Sequence, residues 1–139
     1  MSLTCTVMSF KPSVNLAEVD LSVNRNDFGP RGSITRAFEM HRYYNILLED
    51  ISEEYRNDHH RSEWDDRSDP LIWMVYGRHN VFKEHGYNDQ QDVCQIAESI
   101  KRVDSGSLSF PHFGEAVLEL RSLYEEACAR GEVVFCFVD

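Results

Sequence analysis

The 139-residue chain has no long apolar run. Its longest, Leu71–Tyr76 and Val133–Val138, hold six residues each, far below the roughly 20 that a helix needs to cross a bilayer. Met1 to Pro12 carries no basic residue ahead of its apolar positions, so no signal peptide is expected. Basic residues are scarce: 14 Lys and Arg stand against 24 Asp and Glu, a formal net charge of −10. Nucleic-acid affinity comes mainly from clustered Lys and Arg, and anionic membranes recruit the same residues. The balance therefore argues against both and, if there is a protein partner, favours a basic one. Cysteine is also sparse, and no two of Cys5, Cys94, Cys128 and Cys136 form a Cys-x-x-Cys pair or a zinc-like spacing. There is no Gly-x-x-x-x-Gly-Lys phosphate loop, no Gly-x-Gly-x-x-Gly fingerprint and no Gly-x-Ser-x-Gly elbow.

What is present suffices for one core. At 42% hydrophobic and 12% aromatic the chain is not of the disordered class, and its length fits one domain, 1–139. Each cysteine sits in an apolar periodic segment, where a free thiol acts as a small buried hydrophobe. The expectation is four reduced, structural cysteines in a cytoplasmic protein, although Cys128 and Cys136 could meet across a helix–strand turn.

Leu3, Cys5 and Val7 alternate with Thr4, Thr6 and Met8, a strand period, and Val19, Leu21 and Val23 suggest a second strand before a loop over 24–32. Ser33 can cap a helix over 34–56, in which Ile34, Ala37, Phe38, His41, Tyr44, Leu48, Ile51 and Tyr55 keep the spacing of one face. Residues 57–69 show no apolar periodicity. Asp69-Pro70 opens a short helix over 71–76 that Gly77 can end. Residues 81–87 are ambiguous between helix and strand. Asn88 or Asp89 caps a helix carrying Val93, Ile96, Ala97, Ile100 and Val103. A third main helix carries Ala116, Val117, Leu120, Leu123, Tyr124, Ala127 and Cys128, with Gly131 beyond its end. Val133–Val138, apolar on both faces, reads as a central strand. The expected fold is α+β: a small sheet around the C-terminal strand, covered by three main helices and one short helix.

The phrase Leu120-Arg121-Ser122-Leu123-Tyr124-Glu125-Glu126-Ala127, followed by Arg130-Gly131-Glu132-Val133-Val134-Phe135, resembles the C-terminus of the YfbM-like family of bacterial proteins. The resemblance covers about a third of the chain. That family is uncharacterised, so it implies an α+β fold and no site.

Nine acids, among them Glu49, Asp50 and Asp69, lie between residues 49 and 69, opposed only by Arg56, Arg61 and Arg67. The segment carries a net −6 of the chain's −10, with Trp64 inside it. An aromatic anchor among steering carboxylates is a protein-binding pattern, with Glu53, Glu54, Asp58, Glu63, Trp64, Asp65 and Asp66 as the candidate contacts. The competing reading is a solvated face with Trp64 folded onto the core. His59 and His60 with Asp65 and Asp66 supply metal-ligand types, but adjacent histidines do not converge on a regular element, so no metal or other cofactor is assigned. His79 and His85, with Tyr76, Arg78 and Tyr87, could do acid–base chemistry or form an ordinary turn. His41 reads as a core histidine and His112 as helix-entry packing. The expected function is a non-catalytic, cytoplasmic protein-binding domain, such as an acidic inhibitor or immunity-type protein acting on a basic partner. The alternatives are a small metal-dependent hydrolase using the His/Asp cluster and a chaperone for a secreted effector.

Overall fold

A strand whose two faces both carry apolar side chains belongs inside a sheet, and two such segments meet here. In a computed structural model, which describes residues 5–11, 34–40, 44–58, 68–78, 86–104, 106, 108 and 110–138 (the side chains at 34, 58, 111, 137 and 138 excepted), four strands form one antiparallel sheet. They are β1 (Cys5–Phe10), β2 (Ile34–Met40), β3 (Gly86–Asn88) and β4 (Val133–Val138), in the order β2-β1-β4-β3. Val7 lies opposite Phe38 on one side and Cys136 on the other. Cys5, Val7, Met40, Val134 and Cys136 share the face that enters the helical core, with Phe38 packed against it. Thr6, Met8, Phe10 and Phe135 occupy the opposite face and are buried too. The expected α+β fold with a central C-terminal strand is what forms.

Five helices are described: α1 (Tyr44–Ile51), α2 (Glu53–Asp58), α3 (Pro70–Tyr76), α4 (Gln90–Ile100) and α5 (Pro111–Arg130). Local signals set three of them. Asp69 caps α3 by accepting the Leu71 N–H at 3.0 Å, with Pro70 at the first helical position. Asp89 caps α4 by accepting the Asp92 N–H at 2.8 Å. Gly131, at φ 67°, ends α5 in the left-handed conformation that glycine adopts without strain. Ile72, Met74, Val75, Val93, Ile96, Leu120, Leu123 and Tyr124 fill the core between helices and sheet.

The expected helix over 34–56 is corrected. Its first seven residues are β2, with Thr35, Ala37 and Glu39 exposed and Phe38 and Met40 turned inward. Ala37, Phe38 and Met40 satisfy a helical stripe as well as a two-residue one, and pairing with β1 decides between them. The guanidinium of Arg36 then ties this edge strand to α5, donating to Ser122 Oγ at 2.7 Å, Glu126 Oε2 at 3.0 Å and Glu119 Oε2 at 2.8 Å. The helical part starts at Tyr44 and is interrupted at Ser52, giving five helices where three main and one short were expected. The suggested strand at Val19–Val23 lies outside the described residues.

The cysteine reading is corrected as well. Cys94 on α4 and Cys128 on α5 form a disulfide, with Cα atoms 5.0 Å apart. The two helices pack side by side, which brings the thiols together. Cys136 sits on a central strand with its thiol facing Cys5, and both Cys5 and Cys136 are free and buried. Among the described residues no helix is long and apolar enough to cross a membrane.

Candidate protein-binding face

The acidic segment is described at its two ends, α2 and the start of α3, and its own carboxylates fasten these ends together. Glu54, half-buried, accepts the Ser68 N–H at 3.2 Å, the Ser68 hydroxyl at 3.1 Å and the Asp69 N–H at 2.6 Å. The Ser52 hydroxyl, fully buried, donates to Asp69 Oδ2 at 2.6 Å and accepts the Tyr55 N–H at 3.2 Å. Asp69 thus caps α3 with one oxygen and holds the α1–α2 junction with the other. Each bond to an ionised carboxylate is of the stronger, charge-assisted kind. Arg56 reaches back from α2 to donate to the Glu49 carbonyl at 2.8 Å.

These contacts separate the candidate residues. Glu53 is exposed at the start of α2 and free to face a partner. Glu54 is half-buried and spends its oxygens on residues 68 and 69. Asp58 ends α2, and its side chain is not described. His59, His60, Glu63, Trp64, Asp65 and Asp66 lie outside the described residues. Among the described residues no group of three or more His, Cys, Asp or Glu could hold a metal ion.

Beside this base the structure opens a cleft of about 450 Å³. Among the described residues, Asp50, Asp69 and Asp104 bring three carboxylates to it, Arg102 a cation, and Ile51 and Leu71 an apolar wall. A cationic side chain with an apolar stem is the chemistry such walls complement. Sequence reasoning singled out neither Asp50 nor Asp104 as a contact, because they come from the ends of α1 and α4 and no local pattern joins them.

The described members of the histidine patch have internal partners. Tyr76 and Tyr55 both donate to Asn45 Oδ1, at 3.1 and 2.8 Å, and their rings stack at 6.1 Å. Burial pushes both phenols above their ordinary pKa, so they serve as donors and not as bases. Arg78 pairs with buried Asp92 at 3.3 Å and lies over the Trp73 ring at 5.4 Å. Tyr87 is half-buried on β3, its phenol raised by burial and then by Asp89 and Asp92. His41, His79 and His85 lie outside the described residues. His112 is exposed at the entry of α5, edge-on to Phe113 at 4.8 Å.

No protein-family model, curated protein or solved structure matches this chain.

Proposed function

We propose that the chain is a non-catalytic protein-binding domain that takes a basic protein through the face around α2 and the cleft beside it. The observation that carries this reading is the fastening of α2 to the start of α3 through Glu54 and Asp69, set next to a cleft to which Asp50 and Asp104 add carboxylates. Fastening holds Glu53 and the start of α3 in place before any partner arrives, which lowers the ordering cost of binding. An inhibitor or immunity-type role fits, since enzymes that bind phosphates present basic sites and a dense carboxylate face steers their encounter. The resemblance of the C-terminal third to the YfbM-like family adds a fold expectation and no activity.

A cytoplasmic location is what reduced thiols would support. The Cys94–Cys128 bond instead favours an oxidising compartment. Blocking free thiols at lysis of the native host and mapping Cys94 decides between the two.

The binding reading is tested by capture from the native host, followed by association kinetics with the captured partner. Replacing Asp65 and Asp66 with Asn should slow association about tenfold at low salt and flatten its salt dependence. A partner whose association rate ignores both salt and these substitutions would remove the acidic face from the interface.

A further inference from the structure

We propose that the Cys94–Cys128 disulfide is a thiol-exchange site, attacked at Cys94 through a groove along α4. The groove measures about 450 Å³ and is walled by Pro70, Gln91, Cys94, Gln95, Glu98 and Ser99. Cys128 is not among its walls. Exchange proceeds by attack of a thiolate on one sulfur with departure of the other, and the three sulfurs must lie nearly in line. A thiolate entering the groove meets Cys94, and the sulfur that must then leave is Cys128 on α5. Cys94 is therefore the sulfur that the groove presents.

The other two cysteines are shut away. Cys5 and Cys136 have no exposed surface, whereas Cys94 and Cys128 are half-buried. Burial pushes the Cys136 thiol up and keeps it protonated. One sulfur pair is thus open to exchange and one is closed to it. The groove also selects among thiols. Glu98 is the charged group in its wall, partly offset by Lys101 at 3.2 Å, and the whole chain carries −10. Gln91 and Gln95 add neutral donors and acceptors. Cationic and neutral thiols are therefore preferred over anionic ones.

The step is balanced. An incoming thiolate RS⁻ forms a bond to Cys94 Sγ, the Cys94–Cys128 bond breaks, and its electron pair leaves on Cys128 as a thiolate. The product carries a mixed disulfide at Cys94. α4 and α5 remain packed through buried Val93, Ile96, Leu120 and Leu123, so the Cys128 thiolate stays near and can expel RS⁻ in the reverse step. A second equivalent of thiol reduces the pair fully and leaves as the RS–SR dimer.

The test uses the folded full chain with cysteamine, 2-mercaptoethanol and 2-mercaptoethanesulfonate, alkylation of the freed thiol at quench, and peptide mapping. Adducts at Cys94 should exceed those at Cys128 by about tenfold or more, with Cys128 alkylated. Rates corrected for thiolate fraction should fall from the cationic to the neutral to the anionic thiol, and the spread should shrink as salt rises. Gln95→Arg should raise the rate with the anionic thiol about threefold and lower it with the cationic one. Adducts chiefly at Cys128, equal labelling of both, no preference by thiol charge, or exchange that begins only in denaturant would each overturn the proposal.

Discussion

Asn88 offers a sharp test of how this core is held. It has no exposed surface, donates from Nδ2 to the Trp73 carbonyl at 2.9 Å, and accepts the Tyr124 hydroxyl on Oδ1 at 3.0 Å. A carbonyl only accepts, so the amide orientation is fixed by chemistry. One residue of edge strand β3 thereby links α3 to α5. The Trp73 carbonyl also accepts from the Gly77 N–H at 2.9 Å, so it keeps a partner when the amide is removed. The Tyr124 hydroxyl, fully buried, has no second partner among the described residues. Asn88→Ala therefore orphans one buried hydroxyl and opens a small void, an expected loss of about 2–4 kcal/mol. Tyr124→Phe orphans the Asn88 carbonyl instead, at about 1–3 kcal/mol. The double variant has neither unpaired group, so its loss should fall short of the sum by about 1–2 kcal/mol. Urea unfolding read by tryptophan fluorescence and circular dichroism, with unchanged slopes, measures all three losses. If they add to within about 0.5 kcal/mol, the groups do not act as one network and the reasoning fails.

Four further outcomes are expected. A Cβ at Gly86 would lie 2.5 Å from the Val75 carbonyl oxygen, a backbone atom that cannot step aside, so Gly86→Ala should cost about 3 kcal/mol or more in denaturant unfolding. Burial, and then Asp89, raise the Asp92 pKa above the ordinary carboxylate value despite Arg78. Its contribution to stability is then present below that ordinary value and is lost as pH rises through the raised one, so the stability of the wild type relative to Asp92→Asn should fall across that window; a difference that grows with pH would contradict the sign. Unfolded without reductant, the protein should show two reactive thiols, and with reductant four. Removing the bond by Cys94→Ser with Cys128→Ser, which frees a closure of 34 residues, should cost about 4 kcal/mol on the chain-entropy model.

The sequence was most legible where a signal is local. Asp69-Pro70, Asp89 and Gly131 act within a few residues of themselves, and they start or stop α3, α4 and α5 as the pattern predicts. Val133–Val138 announces a central strand because both of its faces are apolar. Legibility fails where a distant segment chooses. Ile34 to Met40 suits either a helix or a strand, and only pairing with Cys5–Phe10 makes it a strand. Asn88 offers a cap by its type, but Asp89 takes that role and Asn88 turns inward to Trp73 and Tyr124. The pairing of Cys94 with Cys128 depends on how α4 meets α5, and four cysteines allow several pairings on sequence alone. At the candidate face, the acids were countable but their duties were not. Glu54 and Asp69 spend their oxygens joining α2 and the α1–α2 junction to the start of α3, and the cleft gathers Asp50, Asp69 and Asp104 from separate parts of the chain.

The pairing of β1 with β4 sets an order of events during synthesis. Residues 5–10 emerge from the ribosome ahead of β2 and can zip to it as soon as residue 40 is out. The other edge of β1 waits for residues 133–138, which antiparallel register places against it from Cys5 to Phe10. Until those residues are made, the nascent chain therefore carries an open strand edge flanked by Cys5, Val7, Met8 and Phe10, the kind of surface on which strands of other chains add. Chains that stall or are cut before residue 133 should aggregate rather than populate a shortened native state, and a chaperone that shields this edge would act on the growing polypeptide and release it only once β4 has closed the sheet.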